Sequence, residues 1–263
     1  MCIYFLPLHI VLGEKEYLDG VEITPDEIYI WANSNEDTPK TSAIGFEEAI
    51  AIMQPLTETE DEMIIFTISG KMSTTNNVFR MVAEELELEN KVSVIDSENL
   101  STGSGLLVLK AATMVKEGKN RMEICQAIEE LKGKVKASFV VDTLTYLHRG
   151  GRCSSVAALA GGVLKLHPKI VVAEGSMNAD KKYRGKIEKV IIDYVKDNEE
   201  ALREADSERV FITHSGCEPE IIDEVYNYLK NMNHFGEILV TRAGGVISSH
   251  CGPGTLGVLY MSK

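Results

Sequence analysis

The sequence predicts an α/β protein of two domains, and three observations carry that prediction. Strand-like and helix-like segments alternate through the first half of the chain. Near residue 135 the rhythm changes to shorter β segments between helices. The length, 263 residues, is enough for two domains of ordinary size and a substantial core.

The elements follow in order. Residues 6–12 (LPLHIVL) read as a strand, followed by a glycine-containing turn and a second short strand near Glu16 and Tyr17. Thr24-Pro25-Asp26-Glu27 starts a helix, with threonine at the N-cap, proline at the first helical position and an acid at the third. Residues 46–54 read as helix and 63–68 (MIIFTI) as a buried strand. A polar loop over 69–77 opens a helix at 78–86, and 92–96 is the next strand. Helices are expected at 105–117 and 121–132, then a strand at 137–141. Strand–loop–helix units at this spacing imply a mostly parallel sheet in an N-terminal α/β domain. Beyond it, β segments near 170–173, 210–213 and 238–241 alternate with helices at 183–196 and 218–230. Glycine pairs punctuate them at 150–151, 161–162 and 244–245. The boundary is therefore placed near Lys134, giving an N-terminal domain over 1–134 and a C-terminal α+β domain over 135–263.

Composition excludes several partners. Charged residues are 25% and apolar residues 44% of the chain, the balance of a globular protein. A net charge of −13 argues against nucleic acid, whose phosphates need a basic stripe, and against standing attraction to anionic lipid. The five cysteines are scattered, odd in number and form no C-x-x-C, which reads as reduced thiols in a cytoplasm. No leader pattern and no 18-residue apolar run is present, so neither secretion nor a membrane span is expected.

The motifs with chemical content are few. Gly252 to Gly257 fits G-x-G-x-x-G, but only six residues follow it, too few for the helix and βαβ unit of a nucleotide fold. The same letters serve as a turn, and such a turn can present backbone N–H groups to an anion beside His250. Ser73, Thr74 and Thr75 lie between a strand and a helix, where a helix N-terminus favours negative charge; a plain N-cap uses the same letters. Thr41-Ser42 precedes a helix and reads equally as a cap. Arg152 follows a glycine-rich turn and is a candidate for an anionic head group, against the default of an exposed arginine. A serine-nucleophile elbow is missing, and His214 with Cys217 offers too few ligands for a metal. No catalytic constellation is legible, and no cofactor or metal is expected.

Taken together, KTS at 40–42, TISGKMSTT at 67–75, VIDSENLSTGSGLLVLKAA at 94–112, FVVDTLTYLHRGGRCS at 139–154, KYRGKIEK at 182–189 and GGVISSHCGPGTLGVLY at 244–260 resemble the DegV family of bacterial fatty-acid-binding proteins. The resemblance runs in order over almost the whole chain. It implies two α/β domains enclosing a long-chain fatty acid, with the carboxylate held at Thr41, Ser73 and His250. Ser42, Thr74, Arg152 and Gly252 are secondary candidates for that site. The resemblance also implies a cytoplasmic carrier that presents the acyl carboxylate to a separate fatty acid kinase for phospholipid synthesis, without catalysing the phosphoryl transfer. Arg184 and Lys186, in a basic cluster on an acidic chain, are the candidate docking residues for that kinase.

The physics is consistent with such a ligand. A buried palmitate-length chain gains roughly 0.8 kcal/mol per methylene, on the order of 10 kcal/mol before ordering costs. Its carboxylate must then be hydrogen-bonded. Departures from the family pattern set further expectations. The family's first strand and its D-S-x-x-D/L loop are absent ahead of Met1, which should leave an unpaired apolar strand edge. Thr74 stands where the family has glycine, and its β-carbon is expected to obstruct close backbone approach. Two alternatives follow: a homologue that no longer binds lipid, or an enzyme of the related dihydroxyacetone-kinase-like fold using His250 on a small substrate.

Overall fold

The computed structural model describes residues 3–35, 37–153 and 166–263. The chain opens with a hairpin of β1 (His9–Leu12) and β2 (Lys15–Leu18). Helix α1 (Pro25–Asn35) starts on the predicted signal: Thr24 donates its N–H (2.8 Å) and its hydroxyl (2.7 Å) to the Glu27 carboxylate. Strand β3 (Lys40–Ser42) then returns alongside β1, with Ile10 opposite Thr41 and His9 opposite Ser42. The result is a small antiparallel sheet of order β2-β1-β3. Thr41 and Ser42 are thus strand residues and not a helix cap, because β1 offers them a backbone ladder.

Next come α2 (Phe46–Met53), β4 (Met63–Thr67), α3 (Thr75–Glu85), β5 (Val92–Asp96), α4 (Ser101–Lys116) and α5 (Arg121–Leu131). Strands β4 and β5 run parallel, Met63 opposite Val92 and Thr67 opposite Asp96. Among the described residues no third strand pairs with β4 or β5. Helix α4 begins at Ser101, a turn before the predicted start.

The second half contributes β6 (Val135–Val140), α6 (Thr145–Gly150), β7 (Leu166–Ala173), β8 (Ser176–Arg184), α7 (Ile187–Asp197), α8 (Glu199–Glu204), β9 (Ala205–His214), α9 (Pro219–Asn231), β10 (Glu237–Arg242), α10 (Gly245–Cys251) and β11 (Leu256–Ser262). The strands form one sheet of order β10-β9-β11-β6-β7-β8, parallel between β9 and β10 and antiparallel elsewhere. Two sequence readings are corrected here. Tyr183 and Arg184 close β8 by pairing with His167 and Leu166, so the helix expected from 183 starts only at Ile187. The final segment, to which the sequence assigned no element, is β11, which lies inside the sheet between β9 and β6. The glycine pair at 161–162 lies outside the described residues.

One apolar cluster joins the two halves. Met72, Ile95, Leu100 and Leu107 from the first half pack with Phe139, Val141, Ile170, Met177 and Leu259 from the second. Helix α4 is the shared wall: it touches β4 on one side and β6 and β11 on the other. Each such fully buried side chain contributes about 1.5–3 kcal/mol. A separate cluster, including Ile191, Tyr194, Leu202, Ile212 and Leu229, packs α7, α8 and α9 onto the opposite face of the large sheet.

Candidate functional site

Four segments converge at one end of the shared cluster: β3, the loop after β4, the end of α6, and α10. Strand β3 carries Thr41 and Ser42, whose side chains point to opposite faces because a strand alternates. The hydroxyl of Thr41 lies 2.8 Å from Nε2 of His250. Ser42 instead donates to the Glu16 carboxylate at 2.7 Å, turned away from that contact.

His250 sits in α10, just ahead of the turn expected over 252–257. Its Nδ1 is buried without a hydrogen-bond partner among the described residues. A proton on Nδ1 would be an unpaired buried donor, so the proton is assigned to Nε2, which donates to Thr41 Oγ1. That leaves the Thr41 O–H free to donate elsewhere. Burial, and then the nearby Arg152 charge, lower the His250 pKa to about 4, so the ring is neutral at physiological pH. The adjacent Ser249 hydroxyl is likewise buried and unpartnered among the described residues.

The Ser73 loop forms because Ser69 accepts the Met72 N–H (2.9 Å) and the Ser73 N–H (3.0 Å), making a tight turn before α3. Ser73 Oγ lies 2.9 Å from Thr75 Oγ1, and no hydrogen bond joins it directly to Thr41 or His250. The loop is braced from outside: Asp96 accepts the Gly70 N–H at 3.1 Å, and Ser69 and Lys71 donate to the carbonyls of Gly175 and Glu174, each at 2.7 Å. Thr74 is exposed, with right-handed helical backbone, φ −80°.

Arg152 links the loop to the His250 side. Its guanidinium donates to the Gly150 carbonyl at 2.8 Å and reaches the Met72 carbonyl at 3.5 Å. The neighbouring Arg149 donates to Thr38 Oγ1 at 2.8 Å, close in sequence to Thr41. Gly252 (φ +74°) ends α10, but its N–H is spent on the Ser248 carbonyl at 2.9 Å and its carbonyl accepts from Ser215. The turn therefore does not offer the Gly252 N–H to an anion. Arg184 and Lys186 are exposed and form no ion pair among the described residues. The Gly185 carbonyl between them lies 3.1 Å from a ring nitrogen of His167, whose other nitrogen is 3.1 Å from the Val141 carbonyl.

The pattern reading missed Gly150 as part of this site. A β-carbon there would lie 2.3 Å from His250 Nδ1. The glycine pair at 150–151 was a visible signal, but nothing local says which side chain fills the space. His214 and Cys217 serve structure: His214 Nδ1 faces the N–H groups of Gly216 and Cys217 at 3.3 Å each, and burial pushes the Cys217 thiol up to about 12. Among the described residues no three His, Cys, Asp or Glu side chains gather as a metal site, and no disulfide joins the described cysteines. No helix of the described residues is long and apolar enough to cross a membrane.

Comparison with known proteins finds relatives along almost the whole chain. A family model described as "Uncharacterised protein, DegV family" matches residues 2–263. A DegV domain-containing protein of Caldanaerobacter subterraneus subsp. tengcongensis is 30% identical, with 99% of this chain and 92% of that protein covered. A solved DegV family protein of Thermus thermophilus, described by its fatty acid binding, superposes with a TM-score of 0.89 at 30% identity, covering 98% of this chain and 91% of that one. The DegV protein of Bacillus subtilis, described as a fatty acid binding protein, gives a TM-score of 0.81 at 27% identity, covering 98% and 91%.

Proposed function

Since the chain belongs to the DegV family, we propose that it binds a long-chain fatty acid between an N-terminal domain over 1–134 and a C-terminal domain over 135–263, with the carboxylate held by Thr41 and Ser73. The observation that carries this reading is the Thr41–His250 pair. A neutral, buried imidazole spends its Nε2–H on the threonine oxygen, which leaves the threonine hydrogen to a carboxylate. His250 acts through Thr41, and the Ser73 hydroxyl supplies a second donor. Arg152 adds positive charge nearby without a direct salt bridge to the ligand. The acyl chain runs into the apolar cluster that begins at Met72, Leu147 and Cys251 beside these polar groups.

The protein is then a carrier and not a catalyst: it solvates a tail that water rejects and leaves the head group at the polar end. A cytoplasmic fatty acid kinase is the partner that receives this carboxylate, as the family resemblance implies, and Arg184 and Lys186 are its docking residues. The affinity of such a site comes from the tail, about 0.8 kcal/mol per methylene, while the hydroxyls prevent the cost of an unpaired buried anion. Lipid extraction and native mass spectrometry of the purified protein test the reading. A co-purifying long-chain acid, displaced by added palmitate, is the expected result. A protein that stays lipid-free and takes up no palmitate overturns it in favour of a homologue without lipid binding.

A further inference from the structure

Asp19, in the loop after β2, meets the start of α10. Its Oδ1 accepts the Gly245 N–H at 2.6 Å and its Oδ2 accepts the Val246 N–H at 2.9 Å. These are two of the N–H groups that a helix leaves unpaired at its start, and a carboxylate there also faces the positive end of the helix dipole. The fit is close: a β-carbon at position 245 would stand 2.7 Å from Asp19 Oδ1 and 2.7 Å from Ile28 Cδ1. Only a residue without a side chain lets the helix come this near.

The far end of the same helix carries His250, and Thr41 meets it there. Asp19 follows β2 and Thr41 lies on β3, so both belong to the small three-stranded sheet region. The helix therefore meets that region at both ends. The Asp19 contact sets the height and rotation of the helix, and those two settings decide whether His250 Nε2 arrives at the Thr41 hydroxyl. We propose that Asp19 is a positioning residue of the fatty-acid site: it touches no ligand and acts by holding His250 in register with Thr41. This rests on the function proposed above for Thr41 and His250.

A second contact nearby, between α1 and the end of β10, serves as the control. Arg242, two residues before α10's N-cap, donates to Asp26 at 2.6 Å. If Asp19 were only adhesive, losing that ion pair would have the same consequences. In Asp19→Asn one carboxylate oxygen becomes an NH2 facing a backbone N–H, and the charge at the helix start is lost. The expected result is a loss of palmitate affinity of about tenfold, the worth of a partly buried helix cap. In the ligand-free protein, 15N-imidazole NMR of His250 should show loss of the fixed Nε2–H form and a titration nearer that of free histidine. Arg242→Ala should leave both readouts at wild-type values. Unchanged His250 resonances in Asp19→Asn, or equal losses in Arg242→Ala, would overturn the proposal. Failure of the wild-type chain to bind palmitate would instead overturn the fatty-acid reading, and the ligand-free imidazole signals would still decide the role of Asp19.

Discussion

Gly150 packs against the Nδ1 edge of His250 so closely that a methyl group on its Cα would stand 2.3 Å from that nitrogen. Gly150 ends α6, and His250 is in the last turn of α10, so the two short helices meet with the imidazole directly against the Gly150 backbone. The contact excludes any acceptor from Nδ1 and thereby selects the tautomer that serves Thr41.

Gly150→Ala is therefore expected to displace the imidazole. Position 150 is helical with ordinary negative φ, so alanine costs nothing in backbone strain and the effect reports the collision alone. Overpacking of this kind destabilises by about 1–3 kcal/mol. Palmitate titration by calorimetry should reveal weaker binding at a temperature where the variant remains folded. Wild-type affinity would refute the role given to this contact.

Acidification should weaken the protein through His250. Its pKa is lowered from 6.5 to about 4, so the unfolded chain binds a proton more readily than the folded one between those values. Stability is complete above pH 6.5 and falls as the pH drops towards 4, by about 3 kcal/mol if the shift is fully expressed. Urea unfolding at pH 7 and pH 4.5 should show this loss in the wild type and much less of it in His250→Asn. An equal pH dependence in both proteins would assign the acid sensitivity to other groups.

The two hydroxyl donors can be separated. Thr41→Val keeps the shape of the side chain and removes the O–H, leaving the His250 Nε2–H unpaired as well. Ser73→Ala removes a hydroxyl whose partner in the structure is Thr75. A hydrogen bond to a charged group contributes about 1.5–3 kcal/mol, so each variant should lose roughly tenfold or more in palmitate affinity. Both should also lower the melting temperature, Thr41→Val by unpairing the His250 Nε2–H and Ser73→Ala by unpairing the Thr75 N–H at the start of α3. A Ser73→Ala protein that binds as the wild type does would remove that residue from the site.

Charge reversal tests the docking surface. Arg184→Glu with Lys186→Glu alters two exposed cations without touching Thr41 or His250. Palmitate affinity should be unchanged, while the rate of kinase-dependent acyl phosphate formation falls and its salt dependence flattens. Unaltered coupling would place the kinase elsewhere on the surface.

Much of this was legible in the order of the residues. Thr24-Pro25-Asp26-Glu27 announced a helix start because its hydrogen bonds close within four residues. The strands at 63–67 and 92–96 declared themselves by short apolar runs, and the family pattern singled out Thr41, Ser73 and His250. Other elements were hidden. β3 is three residues long, too short for any periodicity, and exists because β1 is there to pair with it. β11 was given no element by the sequence, yet it is an inner strand of the large sheet because β6 and β9 flank it.

The sequence alone determined what local bonding and apolar patterning can encode: most helices and strands, the low content of metal-binding and nucleophilic groupings, and membership in a family. Tertiary structure alone decided how the site is assembled. Thr41 and His250 are 209 positions apart, Gly150 and His250 are 100 apart, and Asp19 reaches a helix 226 residues downstream. Such contacts depend on where whole elements come to rest, which is fixed by the packing of apolar clusters that draw on distant parts of the chain and not by any residue's immediate neighbours.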